Sequence, residues 1–266
     1  MCRPLGDPVD LRSVHERPRT QDPEAQPPRG LFVTGTGTGV GKTVLSAALL
    51  AAMSAAGAQV RAHKPVVTGL DERSETGWPP DHELLASVAG MTPEEVAPLR
   101  YGPAVSPHLA AALAGETIDP AAMIARARAA AIGRGALILE GVGGLLVPFT
   151  DEFTVRDLAA ALGLPVLIAA GPGLGTINHT LLSVDAARAA GLDVRTVVLT
   201  PWPDAPAEME CSNRDTIARL GEVEVVGLGH VPDPTAADLA LAGNALPWRH
   251  WCSPEISSQG TLRGLT

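Results

Sequence analysis

The run GTGTGVGKT, from Gly35 to Thr43, concentrates the most recognisable chemistry in this chain. Glycines at 35, 37, 39 and 41 let backbone N–H groups turn toward one point, and a lysine followed by a threonine closes the run. Between a strand and a helix, such a run is a phosphate-binding loop. Its amides and the helix N-terminus hold phosphate oxygens, Lys42 reaches the terminal phosphates, and the Thr43 hydroxyl is offered to magnesium. The strict spacing G-x4-G-K-[ST] needs glycine at 36, where this chain has Thr36, so the loop is a variant. GKT at a helix start points to a nucleoside triphosphate rather than a dinucleotide.

Only two lysines occur among the twenty Lys and Arg residues, Lys42 and Lys64. Lys64 opens KPVVTG (64–69), where a strand end would carry a second ammonium toward the same edge, to neutralise a transferring phosphoryl group or an anionic substrate. Thr68 in that run offers a hydroxyl to a carboxylate or carbamate. EGVGG (140–144) ends the apolar run ALILE, and a carboxylate at the tip of a buried strand needs a cation or hydrogen bonds. Magnesium beside Thr43 is its natural partner. Gly141, Gly143 and Gly144 permit close backbone approach to a ligand. Asp81 begins DHELLASVAG, either as an N-cap or as a further carboxylate for the metal. GPGLGTINH (171–179) reads as another ligand-facing loop, with Asn178 as donor and acceptor.

The elements that must position these groups alternate. Strands are expected at 31–35, 59–66, 136–141, 165–171, 194–200 and 223–229, mostly as continuous apolar runs of the kind buried on both faces of a parallel sheet. Helical patterns occupy 42–56, 81–89, 120–132, 154–162, 176–190, 212–220 and 235–242. This alternation implies an α/β doubly wound, mostly parallel sheet flanked by helices, with ligands at the strand C-termini. The segment 70–118 is rich in proline and is expected to form loops over that edge. Residues 1–29, with six prolines and no hydrophobic period, read as a disordered leader or an over-long start. Residues 30–246 read as one domain, and 247–266 as an irregular tail.

Composition narrows the function classes. A net charge of −9 and 3% aromatic residues argue against nucleic-acid binding. No apolar run is long enough to span a membrane, and residues 1–29 contain no secretory apolar segment. Cys2, Cys211 and Cys252 form no CxxC pair and suit idle thiols in a cytoplasmic protein. No histidine pair has metal spacing, and no serine lies in a GxSxG elbow.

In their order, FVTGTGTGVGKT, KPVVTG, the Asp81 helix start, SPH (106–108), EGVGG and LGTINHT resemble the dethiobiotin synthetase family of the biotin pathway. The resemblance runs from Leu31 to about Pro232. It implies a magnesium- and ATP-dependent ligase of P-loop fold. Such an enzyme closes a cyclic urea on 7,8-diaminopelargonate with carbon dioxide or bicarbonate, through a carbamate and a carbamic–phosphoric anhydride, in a homodimer. By the same resemblance, Lys42 and Lys64 are catalytic, and Thr43, Asp81 and Glu140 hold the metal. Thr38, Gly39, Val40, Gly41, Lys42, Thr43, Val44, Glu140, Gly143, Thr200, Pro201 and Pro232 face the nucleotide. Thr68, Gly141, Val142, Gly144 and Asn178 face the substrate, Asn178 from the partner subunit. Many members carry Asp where this chain has Gly37, and many place Asn near Thr200 and Pro201 to read adenine, which leaves nucleobase selectivity open here. The rivals are a partition or septum-site switch ATPase, whose loop carries lysine at the position of Gly37, and a cobalamin-pathway amidoligase, which needs an additional glutaminase domain.

Overall fold

The computed structural model describes residues 30–72, 77–132 and 135–252. In chain order the elements are β1 Gly30–Gly35, α1 Lys42–Ala55, β2 Val60–His63, β3 Val66–Val67, α2 Asp81–Ala89, α3 Pro93–Val96, β4 Leu99–Arg100, α4 Pro107–Leu113, α5 Pro120–Ala131 and β5 Ala136–Gly144. They continue with β6 Pro148–Thr150, β7 Phe153–Thr154, α6 Val155–Leu162, β8 Val166–Ala170, α7 Thr176–Ala189, β9 Val194–Trp202, α8 Glu208–Gly221, β10 Glu224–Gly229, α9 Ala236–Asn244 and α10 Trp248–Trp251.

Six strands form one sheet in the order β10-β9-β8-β1-β5-β2, and every pairing is parallel. Along β1, Leu31 and Val33 face one layer while Phe32 faces the other, and all three are fully buried. This period of two, apolar on both faces, is what a parallel sheet covered on both sides demands. One layer holds α1, α2, α9 and α10; the other holds α4 to α8. After β1 the chain crosses to the edge strand β2 and later fills β5 and β8 on either side of β1. The crevice for a ligand therefore opens at the C-terminal end of β1.

Three expectations are corrected. The strand expected over 59–66 stops at His63, and Val66–Val67 leave the sheet to pair with β4. Pro65 between them lacks the N–H that the ladder needs. The segment 70–118 is not all loop beyond α2. A capping box of Thr92 and Glu95 starts α3, and Pro107 at the first turn starts α4. The end of the chain is regular as far as Trp251, which is fully buried and whose indole Nε1 donates to Glu224 Oε2 at 2.7 Å. That burial draws 248–251 into a helical turn despite its short pattern. The sequence readings of 1–29 and 253–266 lie outside the described residues.

Within its layer, α1 packs closely against α9 behind the loop. A Cβ at Gly243 would stand 2.1 Å from Ala48 O and 2.6 Å from its carbonyl carbon. Backbone cannot yield as a side-chain tip can. Gly243→Ala is therefore expected to lower unfolding free energy by about 2–3 kcal/mol in a urea titration. An unchanged midpoint would show that the helices separate freely.

His63 ends β2 with its ring 3% exposed, and burial pushes its pKa down to about 4. An unfolded histidine takes a proton near pH 6.5, before the folded one can. The unfolded chain thus binds the extra proton between pH 6.5 and about 4, and stability falls as pH falls through that window. His63→Leu is expected to remove about 3 kcal/mol of this acid sensitivity, read as a flatter dependence of unfolding free energy on pH than in the wild-type protein.

Candidate active site

Gly35 ends β1, and the next amide, Thr36 N, donates to Ala169 O of β8 at 3.0 Å. The loop then turns through Gly39 and Gly41, whose φ values of 74° and 81° suit glycine. Gly41 is doubly constrained, because a Cβ there would lie 2.6 Å from Thr200 Cγ2. A Cβ at Gly37 would meet nothing within 4 Å, so that position accepts side chains that this chain does not use. Among the described residues, no side chain caps α1. Lys42 folds back over the loop and donates from Nζ to Gly37 O at 2.6 Å. The glycine-rich turn, the Lys42 ammonium and the N-terminus of α1 are thus brought together at the end of β1, an arrangement suited to an anion.

Strand β5 brings the carboxylate. Its register sets Val33 opposite Glu140 and Gly35 opposite Gly144, so EGVGG lies along the root of the loop. Glu140 is fully buried. Its Oε1 accepts from Thr43 Oγ1 at 2.9 Å and from Lys64 Nζ at 2.6 Å, while its Oε2 has no partner. Lys64, 4% exposed, leaves the end of β2, and its amide is fixed on Val96 O at 2.9 Å. It also donates to Asp81 Oδ2. Asp81 is the first residue of α2, with Pro80 in the cap position. The carboxylate therefore points to the lysine and does not cap its own helix. Loop, edge-adjacent strand and helix start thus bring together Lys42, Thr43, Lys64, Asp81 and Glu140 from four separate stretches of sequence.

The charges are mutually adjusted. Burial pulls Lys64 down, but Glu140 and Asp81 outweigh it and hold the ammonium above the ordinary lysine value. Burial pushes the Asp81 carboxyl up, and Lys64 more than reverses this, so it stays below the ordinary range. Lys42 has no such pair, and burial leaves its ammonium below the usual value despite the field of Glu140. Its proton is held least firmly of the two, which favours an added anion beside it.

The remaining positions differ in how they meet the loop. Gly143, with φ 60°, lies close enough that a Cβ would be 3.7 Å from Thr38 Oγ1, and a Cβ at Gly144 would be 3.2 Å from Gly35 O. A Cβ at Gly141 would press on Val155 at 2.8 Å, so that glycine serves packing. Thr200 is buried at the end of β9 against Gly41, while Pro201 beside it is exposed. Val40, Val44, Thr68 and Val142 are half-buried, and Gly39 is exposed. Asn178, on the first turn of α7, and Pro232, beyond β10, are exposed, and no hydrogen bond joins either to the lysine–carboxylate group. One positioning residue escaped the sequence reading. Asn213, buried on α8, donates from Nδ2 to Pro172 O at 2.9 Å and Gly173 O at 3.3 Å, pinning the loop before α7. Its signal in the sequence is only an asparagine inside a helix, where it is otherwise unfavourable.

Comparison with known proteins agrees with this geometry. A family model described as an AAA domain matches residues 29–237. A protein of Anaeromyxobacter dehalogenans (strain 2CP-1 / ATCC BAA-258) is 46% identical over 241 residues, covering 89% of this chain and 97% of its own. One from Anaeromyxobacter sp. (strain Fw109-5) is 43% identical over 206 residues, 73% of this chain and 91% of its own. One from Caulobacter sp. (strain K31) is 46% identical over 178 residues, 66% of this chain and 77% of its own. All three carry the name ATP-dependent dethiobiotin synthetase BioD. With a P-loop running into GKT, a parallel sheet ordered around it, and identity of this extent, the chain belongs to the ATP-dependent dethiobiotin synthetase family.

Proposed function

We propose that this protein uses ATP, carbon dioxide and 7,8-diaminopelargonate to close a cyclic urea, releasing dethiobiotin, ADP and phosphate. The observation that carries the reading is the meeting of Lys42, Thr43, Lys64, Asp81 and Glu140 at the root of the loop, in a chain of this family. In this reading the carbamate formed on one substrate amine attacks the γ-phosphorus. The second amine then attacks the carbamate carbon of the mixed anhydride, expelling phosphate and closing the ring.

Magnesium fits the residues present. Thr43, Asp81 and Glu140 offer hard oxygens only, and Glu140 Oε2 is buried without a partner. Among the described residues no cluster of three His, Cys, Asp or Glu forms a closed metal cage. Few protein ligands, completed by phosphate oxygens and water, are what magnesium takes. When bound, it supplies neutralisation of charge on the transferring group.

The chain's own groups do the rest. The loop from Thr38 to Val44 holds the phosphates, and Lys42 holds the γ-phosphate end. Lys64 meets charge that develops between carbamate and phosphoryl oxygens. The Thr68 hydroxyl donates to the carbamate, and Val142 and Gly144 lie along the substrate, with Gly141 packed beneath them on Val155. Thr200, Pro201 and Pro232 flank the nucleobase. Asn178 reaches the substrate of the partner subunit in a homodimer, which accounts for its exposure on α7. A cytoplasmic location accompanies this reading, and no helix among the described residues is long and apolar enough to cross a membrane.

The test is phosphate release from ATP and magnesium with diaminopelargonate and bicarbonate added separately and together. Release that needs both, with a product of cyclic-urea mass, is expected. Release independent of both would replace the ligase by a switch-type ATPase.

A further inference from the structure

One ammonium lies where the oxygens assigned above to a divalent ion converge. Lys64 Nζ donates to Glu140 Oε1 at 2.6 Å and also to Asp81 Oδ2. Thr43 Oγ1, the third of those oxygens, donates to the same Glu140 Oε1 at 2.9 Å. Glu140 is fully buried, Lys64 is 4% exposed, and Glu140 Oε2 has no partner. A fully buried carboxylate and a half-exposed one drawn together need a cation, and the chain supplies its own in Lys64. The Thr43 O–H and Glu140 Oε1 are both engaged in that internal arrangement.

Magnesium on this group would have to approach Glu140 and Asp81 at about 2 Å, in near-octahedral geometry. An ammonium on the same oxygens blocks that approach sterically and repels the ion across a few ångströms of weakly screened space. A flexible four-carbon stem lets the ammonium leave for another anion without moving β2. Nucleotide phosphates at the neighbouring loop are such an anion.

We propose that Lys64 is a built-in competitor for the divalent ion: ammonium and metal exchange on the Glu140–Asp81 oxygens, and the metal enters together with the nucleotide phosphates that draw Lys64 away. This rests on the reading that Thr43, Asp81 and Glu140 hold the metal. The exchange makes ion binding conditional on nucleotide, so free magnesium alone leaves the site closed. It also gives Lys64 two positions, one clamping the carboxylates and one at the transferring group.

Manganese(II), followed by the loss of its free-ion paramagnetic signal, is the probe for the purified full chain. Without nucleotide, Lys64→Met is expected to bind it at least about tenfold more tightly than wild type, since two carboxylates then lack a cation. Lys64→Arg keeps the charge and is expected to stay as weak as wild type. Equal affinity of wild type and Lys64→Met, within about twofold, overturns the exchange. Should Lys64→Met fail to fold, the wild-type chain answers the question itself, because it contains only two lysines. With 13C at lysine Cε, the Lys64 resonance is expected to stay put when magnesium alone is added and to move when magnesium and a non-hydrolysable ATP analogue are added together. A resonance that moves with magnesium alone, or that never moves, overturns the proposal. Turnover of diaminopelargonate is measured apart from this. A chain that makes dethiobiotin yet binds manganese equally with and without Lys64 loses the exchange and keeps the function.

Discussion

Lys42→Met is expected to reduce phosphate release in the full reaction mixture by about 10³-fold, at the upper end for removal of one preorganised electrostatic group. Lys42 is the first residue of α1, 7% exposed, and its Nζ lies over the loop on Gly37 O. It makes no ion pair among the described residues, so its charge is available to an incoming phosphate. Burial already holds its ammonium below the ordinary lysine value, which means the fold is paying to keep that charge there. Removing the charge should therefore leave the urea midpoint equal or higher while activity collapses. A variant with lost activity and a lower midpoint would point instead to a collapsed loop. One that retains a tenth of wild-type turnover would remove Lys42 from the reaction.

Glu140→Gln carries the second large effect, and its companion Glu140→Ala separates chemistry from folding. Glutamine keeps an acceptor for Thr43 and Lys64 at nearly the same volume but removes the charge that a magnesium ion would meet. Turnover is expected to fall by about 10²-fold, and half-saturation to need about tenfold more magnesium. Alanine does more damage to the fold. It strips the buried Lys64 ammonium of its fully buried partner and leaves it the partly exposed Asp81. Breaking such a pair costs about 3–5 kcal/mol. Urea titrations of both variants beside a magnesium titration of activity distinguish the two losses. If neither glutamine nor alanine lowers the urea midpoint, the pair with Lys64 is structurally idle. If glutamine leaves magnesium half-saturation unchanged, Glu140 is not a metal ligand.

Much of this was legible before any fold was drawn. The loop, its lysine and its threonine are contiguous, so local sequence carries them whole. The central sheet strands were visible because strands buried on both faces must be mostly apolar, as β1, β5 and β8 are, whereas the edge strand β2, VRAH, is not. Strand order was not, since pairing joins segments as distant as Val33 and Glu140. Elements in the proline-rich stretch were missed because α3 and β4 are four and two residues long, too short to show a period.

The same division holds at the site. Residue types alone established that the chain handles a nucleoside triphosphate: glycines, a lysine and a threonine next to one another impose a backbone and a charge that need no distant help. Local order likewise brought Lys64 to a strand end and Glu140 to another. Only the tertiary structure decided that these two share an oxygen, that Asp81 answers Lys64 and not its own helix, and that Thr43 points at Glu140. It also decided that Thr200 walls Gly41 and that Asn213 holds the Pro172–Gly173 turn. These are contacts between groups far apart along the chain. Their direction is set by sheet order, register and side-chain burial, all of which come from the packing of the whole domain, and no single stretch of residues encodes them.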